Sequence, residues 1–398
     1  MSWSLVKLND IAKINPRMPK NVDQTQKISF LKMASVSENG EVLEQESRVL
    51  SETKKGFTYF ERGDVLLAKI TPCFENGKAA LVNNLMTEIG FGSTEFHVIR
   101  AEEKKLDNKY LFYLLWSKYF RFIGKHQMKG AVGQQRISAD FLKNIKIPLP
   151  PLKTQKYIAD ILEKADQLRK DCQQMEQELN QLAQSVFIEM FGDPVLNPKG
   201  WEIGTIENLL NSANYGTSSK ASEEKLQYPV LRMNNITYQG GWNFSSLKYM
   251  NLTSKEQKKY LVKKGDLLFN RTNSRELVGK TAVFYEDKPM VFAGYLVRGR
   301  CNDKAIPEYI SAFMNSKYGK QTLKAMCKSI VGMANINAKE FQKIKIPLAP
   351  INIQLEFSHF IQKNNMLLKK QQEELAVYET LFNALSQKAF KGELKDPV

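Results

Sequence analysis

The chain is poor in the residues that usually carry metal or covalent chemistry. Its four cysteines (Cys73, Cys172, Cys301, Cys327) stand far apart with no CxxC pair. That pattern supports neither a disulfide framework nor a thiolate zinc site and fits a reducing compartment. Of the three histidines (His97, His126, His359) none lies in metal-pair or HExxH spacing, so a histidine-built active site lacks its material. There is no apolar run long enough to span a bilayer, and the opening MSWSLVKLND lacks the charged, apolar and small-residue zones of a secretion signal. The expectation is a cytoplasmic protein without membrane contact. Acidic residues are in deficit, with 42 Asp+Glu against 58 Lys+Arg and a formal net charge of +16. The excess is uneven, +4 over residues 1–198 and +12 over 199–398, and a basic balance of this kind favours a polyanionic partner.

Nucleotide and catalytic motifs are missing as well. There is no GxGxxG loop. Gly279-Lys280-Thr281 imitates the end of a P-loop, but Ser274 stands where the first glycine belongs. The two Asn-Pro pairs continue as Arg17 and Lys199, unlike the Asn-Pro-Pro-aromatic motif of an adenine methyltransferase. Asp64, Glu75 and Lys78 faintly suggest a nuclease cluster, yet the corresponding Asp266 and Lys280 lack a middle carboxylate. The chain reads as built to bind, with no catalytic residues, no metal site and no cofactor of its own.

What is present is a long-period repeat, the feature that decides architecture. Tyr110, Ser117, Lys118 and Tyr119 return 199 positions later as Tyr309, Ser316, Lys317 and Tyr318, and Val132-Gly133 as Val331-Gly332. The same offset carries IKIPLPP (145–151) onto IKIPLAP (344–350) and Gln155 onto Gln354. Upstream the offset is 202, pairing Gly63-Asp64 with Gly265-Asp266 and Gly77-Lys78 with Gly279-Lys280. Each copy has a mixed front and a helical back. The predicted domains are 1–150, a central helix in 151–198, a second front in 199–350 and a terminal helix in 351–398. Asp64–Ile70, Glu95–Arg100, Asp266–Phe269 and Val291–Arg298 read as buried strands. Tyr110–Phe122 and Pro307–Leu323 read as helices. The class is α+β, two similar α/β domains with two long helices.

Those helices carry apolar seams. In the first, Ile158, Ile161, Ala165, Leu168, Cys172, Met175, Leu179, Leu182 and Val186 alternate spacings of three and four, a heptad pattern. In the second, Ile361, Leu368, Leu375, Tyr378, Phe382, Leu385 and Ala389 do so, with polar Asn364 and Gln371 in the row. A coiled coil between the copies is expected, antiparallel if they obey a pseudo-twofold.

Three loops have the side chains that read base edges or hold phosphates. One contains Lys69, Thr71, Glu75, Asn76 and Lys78, matched in the second copy by Arg271, Thr272, Asn273, Ser274, Arg275 and Lys280. Another holds Lys129, Gln134, Gln135 and Arg136, matched by Lys328 and Asn335. The third holds Ser93 and Thr94. The loops differ in sequence inside matching frames, as two readers of different sequences require.

The doubled arrangement of variable front, Ile147-Pro148-Leu149-Pro150-Pro151-Leu152 with Gln155, and long helix, repeated at Ile346-Pro347-Leu348-Ala349-Pro350-Ile351 with Gln354, resembles the specificity subunit of type I restriction-modification enzymes. Ile70-Thr71-Pro72 and Phe91-Gly92-Ser93-Thr94-Glu95-Phe96 look like parts of that family's target recognition domains. The resemblance implies that each front reads half of a bipartite site in double-stranded DNA and that the helices form an antiparallel coiled coil that sets the spacing. It also implies that two methyltransferase subunits, with S-adenosylmethionine, assemble on the chain, and that restriction or translocase subunits would bring ATP and Mg. A basic scaffold binding DNA without sequence preference is the competing expectation.

Overall fold

The computed structural model describes residues 3–131, 133–327 and 333–394; Lys328, Val132 and Val331-Gly332 lie outside these. The chain divides into two compact units. The first runs to Cys172 and includes the residues from Glu373 onward, and the second is Gln173–Gln372. Each long helix therefore gives one half to each unit.

The sequence repeat is a repeat of topology. In the first unit one antiparallel sheet has the order Ala12–Ile14, Phe96–Ala101, Val65–Ala68, Ala79–Leu81. A second has the order Glu46–Val49, Lys27–Leu31, Ile89–Gly92, Thr58–Glu61, with its central pair parallel. The second unit repeats both, as Leu210–Tyr215, Leu296–Cys301, Leu267–Asn270, Thr281–Val283 and as Lys248–Met250, Tyr228–Leu231, Met290–Phe292, Leu261–Val262. Val65 and Leu67 face a cluster with Tyr110 and Leu111, while Leu66 and Ala68 face one with Phe60 and Leu31. Burial on both faces is why this strand reads as an uninterrupted apolar run.

Gly63-Asp64 and Gly265-Asp266 turn out to be braces. The Asp64 carboxylate accepts both arms of Arg100 (2.7 and 2.8 Å) and the Glu61 N–H, and Asp266 accepts Arg300 and the Lys263 N–H in the same way. Burial raises the Asp64 pKa even so, with Arg100 pulling the other way. Both carboxylates hold strands together, which leaves them no role in a nuclease cluster.

Three of the expected segments are each split in two. Tyr110–Phe122 and Pro307–Leu323 are each two helices, broken at Ser117 and Ser316. These serines adopt extended backbone, and each hydroxyl caps the following helix by accepting the N–H of Phe120 or Gly319. Val291–Arg298 is also two elements, because Ala293–Tyr295 turns the chain from one sheet into the other. An apolar run carries no mark of which sheet its ends join.

The Ile-Pro-Leu motifs anchor the helices. Ile147 and Ile346 sit in short strands paired with Val6 and Gly204. Tyr110 and Tyr309 donate hydroxyl protons to the carbonyls of Pro148 and Pro347. Helices Leu152–Phe191 and Ile351–Lys391 follow, 40 and 41 residues long, each roughly 60 Å. Glycines at φ +80° and +79°, Gly192 and Gly392, follow their last turns.

Within each unit the helix segments run antiparallel. In the first, Arg169 lies over Phe382 and Cys172 feels the charge of Glu374. In the second, Glu176 meets Gln372 at 2.9 Å while Phe187 and Phe191 meet Phe357. The second seam points inward: Phe382 and Ala389 are buried and Ile361, Leu368, Leu375, Tyr378 and Leu385 partly so. In the first, Ile158, Ala165, Cys172 and Leu179 are buried as expected. The alternate row is not. Ile161 is partly exposed, and Leu168, Met175 and Leu182 are exposed by 40, 43 and 46%. The buried row instead steps by four, through Leu162 and the Asp166–Arg169 pair, because this helix also packs on Tyr110, Tyr113 and Trp116 of its own unit. A heptad pattern leaves that choice of flank open.

Candidate nucleic-acid interface

The first unit brings its three loops to one place. Lys69 donates its N–H to the Glu95 carbonyl and accepts that of Ile137, both at 2.9 Å. Thr71 exchanges backbone and hydroxyl bonds with Gln135, at 2.9 and 3.0 Å. Arg136 and Lys129 pair through their backbones, closing the second loop on itself. Ser93 starts the third loop by accepting the Glu95 N–H, and Thr94 stands exposed beside it. Arg136 clasps Glu95 through three bonds of 2.9–3.2 Å, and this pairing holds the Glu95 carboxyl below the usual glutamate range. Both partners are substantially solvated, with 43 and 29% of their side-chain surface exposed, so water screens the pair and it orients the loops more than it stabilises them. His97 supports the assembly from beneath. Its ring bridges the Ile137 carbonyl (2.9 Å) and the Asn15 amide (3.1 Å), and burial lowers its pKa, favouring the neutral ring.

The second unit uses the same frame with other side chains. Thr272 and Asn273 form a two-residue ladder with Asn335 and Ala334, where the first unit has the Ile70–Arg136 bridge. Arg271, the counterpart of Lys69, donates its N–H to the Tyr295 carbonyl and accepts that of Ile336. Its guanidinium lies 4.9 Å from the Tyr215 ring and 3.4 Å from the Gly294 carbonyl. Ser274 donates its N–H to the Asn273 side chain. Tyr295, the counterpart of Glu95 in the repeat, is 49% exposed.

Other candidates lie apart from this convergence. Glu75 pairs with Lys125 at 2.9 Å and Asn76 donates to Glu38 at 2.8 Å. Lys78 donates to the Met33 carbonyl and Lys280 to that of Ile236, so both ammonium groups tie neighbouring loops together. Arg275 is exposed and Gln134 points outward from its turn. Tyr215, Tyr295 and Glu95's clasp escape sequence reasoning, since only strand pairing brings them beside the loops. The exposed tyrosines near a basic loop are the one hint.

Among the described residues no group of three His, Cys, Asp or Glu is gathered to hold a metal ion, and no helix is long and apolar enough to cross a membrane. Residues 1–183 and 198–377 match the type I restriction modification DNA specificity domain. The chain belongs to this family. Two specificity domains thus account for its two units and for the repeat. The chain is 40% identical over 177 residues to the type I restriction enzyme EcoAI specificity subunit of Escherichia coli and 38% identical to the EcoEI specificity subunit. Each match covers 44% of this chain and 29% of the relative, so the chain spans under a third of these relatives' length. The crystal structure of the type I restriction-modification system S subunit from M. genitalium aligns with a TM-score of 0.59 at 15% identity, covering 100% of this chain and 97% of that one. That likeness speaks for the fold.

Proposed function

We propose that this chain is the DNA-reading subunit of a type I restriction-modification system. Each domain reads one half of a bipartite target in double-stranded DNA, and the chain itself performs no chemistry. One observation carries the reading: the same loop convergence occurs twice with different polar side chains, Lys69, Thr71, Gln135 and Arg136 in one unit and Arg271, Asn273 and Asn335 in the other. A shared frame with exchanged side chains supports two base sequences read by one mechanism. The long helices are read as the platform for two methyltransferase subunits, and the exposed row Leu168, Met175, Leu182 supports this. S-adenosylmethionine then belongs to those partners, which extrude the target adenine. ATP and Mg belong to translocase subunits where the system restricts, and the assembly acts in the cytoplasm.

The test is N6-methyladenine mapping in cells expressing this chain with its methyltransferase partner, before and after residues 199–350 are exchanged for those of a relative. A bipartite motif that changes in one half only is expected. A change in both halves, or methylation without a motif, would refute two independent readers, and the latter result would favour the scaffold.

A further inference from the structure

The second unit contains a cavity of about 390 Å³ that the loop convergence does not use. Its walls carry Arg275, Lys280, Lys317, Lys320 and Lys324 against a single carboxylate, Glu276. Lys317, Lys320 and Lys324 follow one another at spacings of three and four along helix Lys317–Met326, which gathers them on one face. Gly279 lets this helix approach: at its φ of +82°, a Cβ would stand 2.4 Å from Leu323. Lys320 lies 3.2 Å from the Tyr238 ring centroid and donates to the Tyr238 carbonyl, and Lys280 donates to the Ile236 carbonyl. These partners are neutral. Among the described residues none of the five cations forms an ion pair; Glu276 feels Lys324 and Arg275 only at longer range.

The first unit treats the equivalent place differently. In register, Trp116 stands for Asn315, Arg121 for Lys320 and Lys125 for Lys324. The Trp116 indole is buried and donates to the carbonyls of Glu38 and Gly77. Lys125 pairs with Glu75, and the Glu38 carboxylate acts on Arg121. The space is filled, and Arg121 and Lys125 each have a carboxylate near them. In the second unit the smaller Asn315 turns to the carbonyls of Thr281 and Ser311, and both the space and the positive charge remain.

We infer that this cavity binds a phosphate group, either a phosphodiester of duplex DNA or the phosphate of a free nucleotide-sized molecule. The volume lies within the range of small-ligand sites, roughly 300–1,000 Å³, and ammonium groups on one wall bind phosphate as point charges. Burial and the neighbouring Lys280 push the Lys320 pKa down to about 8, as expected of an ammonium lacking its counter-ion. The DNA source rests on the function proposed above, whereas the free-phosphate source does not.

The test is competitive labelling of the full chain at pH 8 with a limiting amine-acylating reagent, read lysine by lysine by mass spectrometry. It is run alone, with inorganic phosphate and with duplex DNA, all at matched ionic strength in chloride. About half of the Lys320 amine is free at this pH, against under about 1% for an ordinary lysine, so it should label early. Ligand at roughly ten times its Kd should slow that labelling about tenfold. Protection by inorganic phosphate but not by duplex assigns a free ligand, and protection by duplex, with or without protection by inorganic phosphate, assigns the DNA backbone. Protection by neither, in a sample whose duplex binding is verified by fluorescence anisotropy, overturns the site and leaves the DNA reading standing. If anisotropy detects no duplex binding, the DNA reading fails and the phosphate arm alone decides the cavity. Asn315→Trp, which installs the first unit's residue, should abolish protection. Lys324→Gln, on the exposed face, should weaken it several-fold without the risk of misfolding.

Discussion

Gln155 offers a demanding test, because the fold contains its own replicate. The side chain is fully buried and its amide is fully used. Nε2 donates to the carbonyls of Lys105 (3.0 Å) and Pro150 (2.8 Å), and Oε1 accepts the Asp107 N–H (2.8 Å). Gln155→Ala therefore strands one N–H and two carbonyls beneath the start of the first long helix. A buried group that loses its partner costs about 1–3 kcal/mol; about 2 for the N–H and about 0.5–1 for each carbonyl, which keeps a second lone pair, gives roughly 3–4 kcal/mol. Domains of roughly 150–250 residues lose about 2–4 °C per kcal/mol, so the first unit's melting temperature should fall by about 10 °C. Calorimetry of the full chain reads the transition, and hydrogen exchange at the Asp107 amide reads the site itself without assuming two-state unfolding. Gln354 makes the same three bonds, to Lys304, Ala349 and Ile306 at 3.1, 2.7 and 2.9 Å. Gln354→Ala should lower the second unit's transition by a similar amount. If either variant melts within about 2 °C of the parent, the buried glutamine does not anchor the helix.

Three further outcomes follow from the geometry. Arg271→Ala should weaken binding of the cognate duplex by about 1–3 kcal/mol and relax preference at one position of one half-site, measured by competition among single-base variants; uniform weakening across sequences would make Arg271 a phosphate contact. Because Arg136 lowers the Glu95 pKa below its ordinary 4.5, the clasp contributes fully above that value and is lost as pH falls through the lower, folded one. Acid titration of the Glu95 carboxyl by NMR should place its midpoint below that of the Arg136→Gln variant, and equal midpoints would mean that Arg136 does not lower the Glu95 pKa. Met175→Glu with Leu182→Glu, on the exposed row of the first helix, should leave the chain's melting temperature within about 2 °C, as surface changes do, while reducing co-purification of the methyltransferase partner. Undiminished co-purification would move the platform elsewhere.

Much of the architecture was legible because it repeats. The offset linking IKIPLPP to IKIPLAP announces two units, and the long helices follow from prolines that cannot continue inward and glycines that end the last turn. Strands such as Val65–Ala68 were readable because both faces are buried, leaving an unbroken apolar run. The turn Ala293–Tyr295, which splits one such run between two sheets, was not, since nothing in its composition marks a change of layer. Ser117 and Ser316 break helices by adopting extended backbone, and each caps the helix that follows with its own hydroxyl.

The amino-acid sequence by itself determined the duplicated plan, the basic character, the absence of metal and nucleotide motifs and which loops carry polar side chains, since these depend on residue type and spacing along the chain. Only the tertiary structure decided which flank of the first helix is buried and that Lys78 and Lys280 each donate to an internal carbonyl. It alone placed Glu95 against Arg136, Arg271 over Tyr215 and Asn315 where the first unit has Trp116. Hydrogen bonds and burial join residues that are far apart in sequence, through strand registers and helix faces that no local pattern encodes.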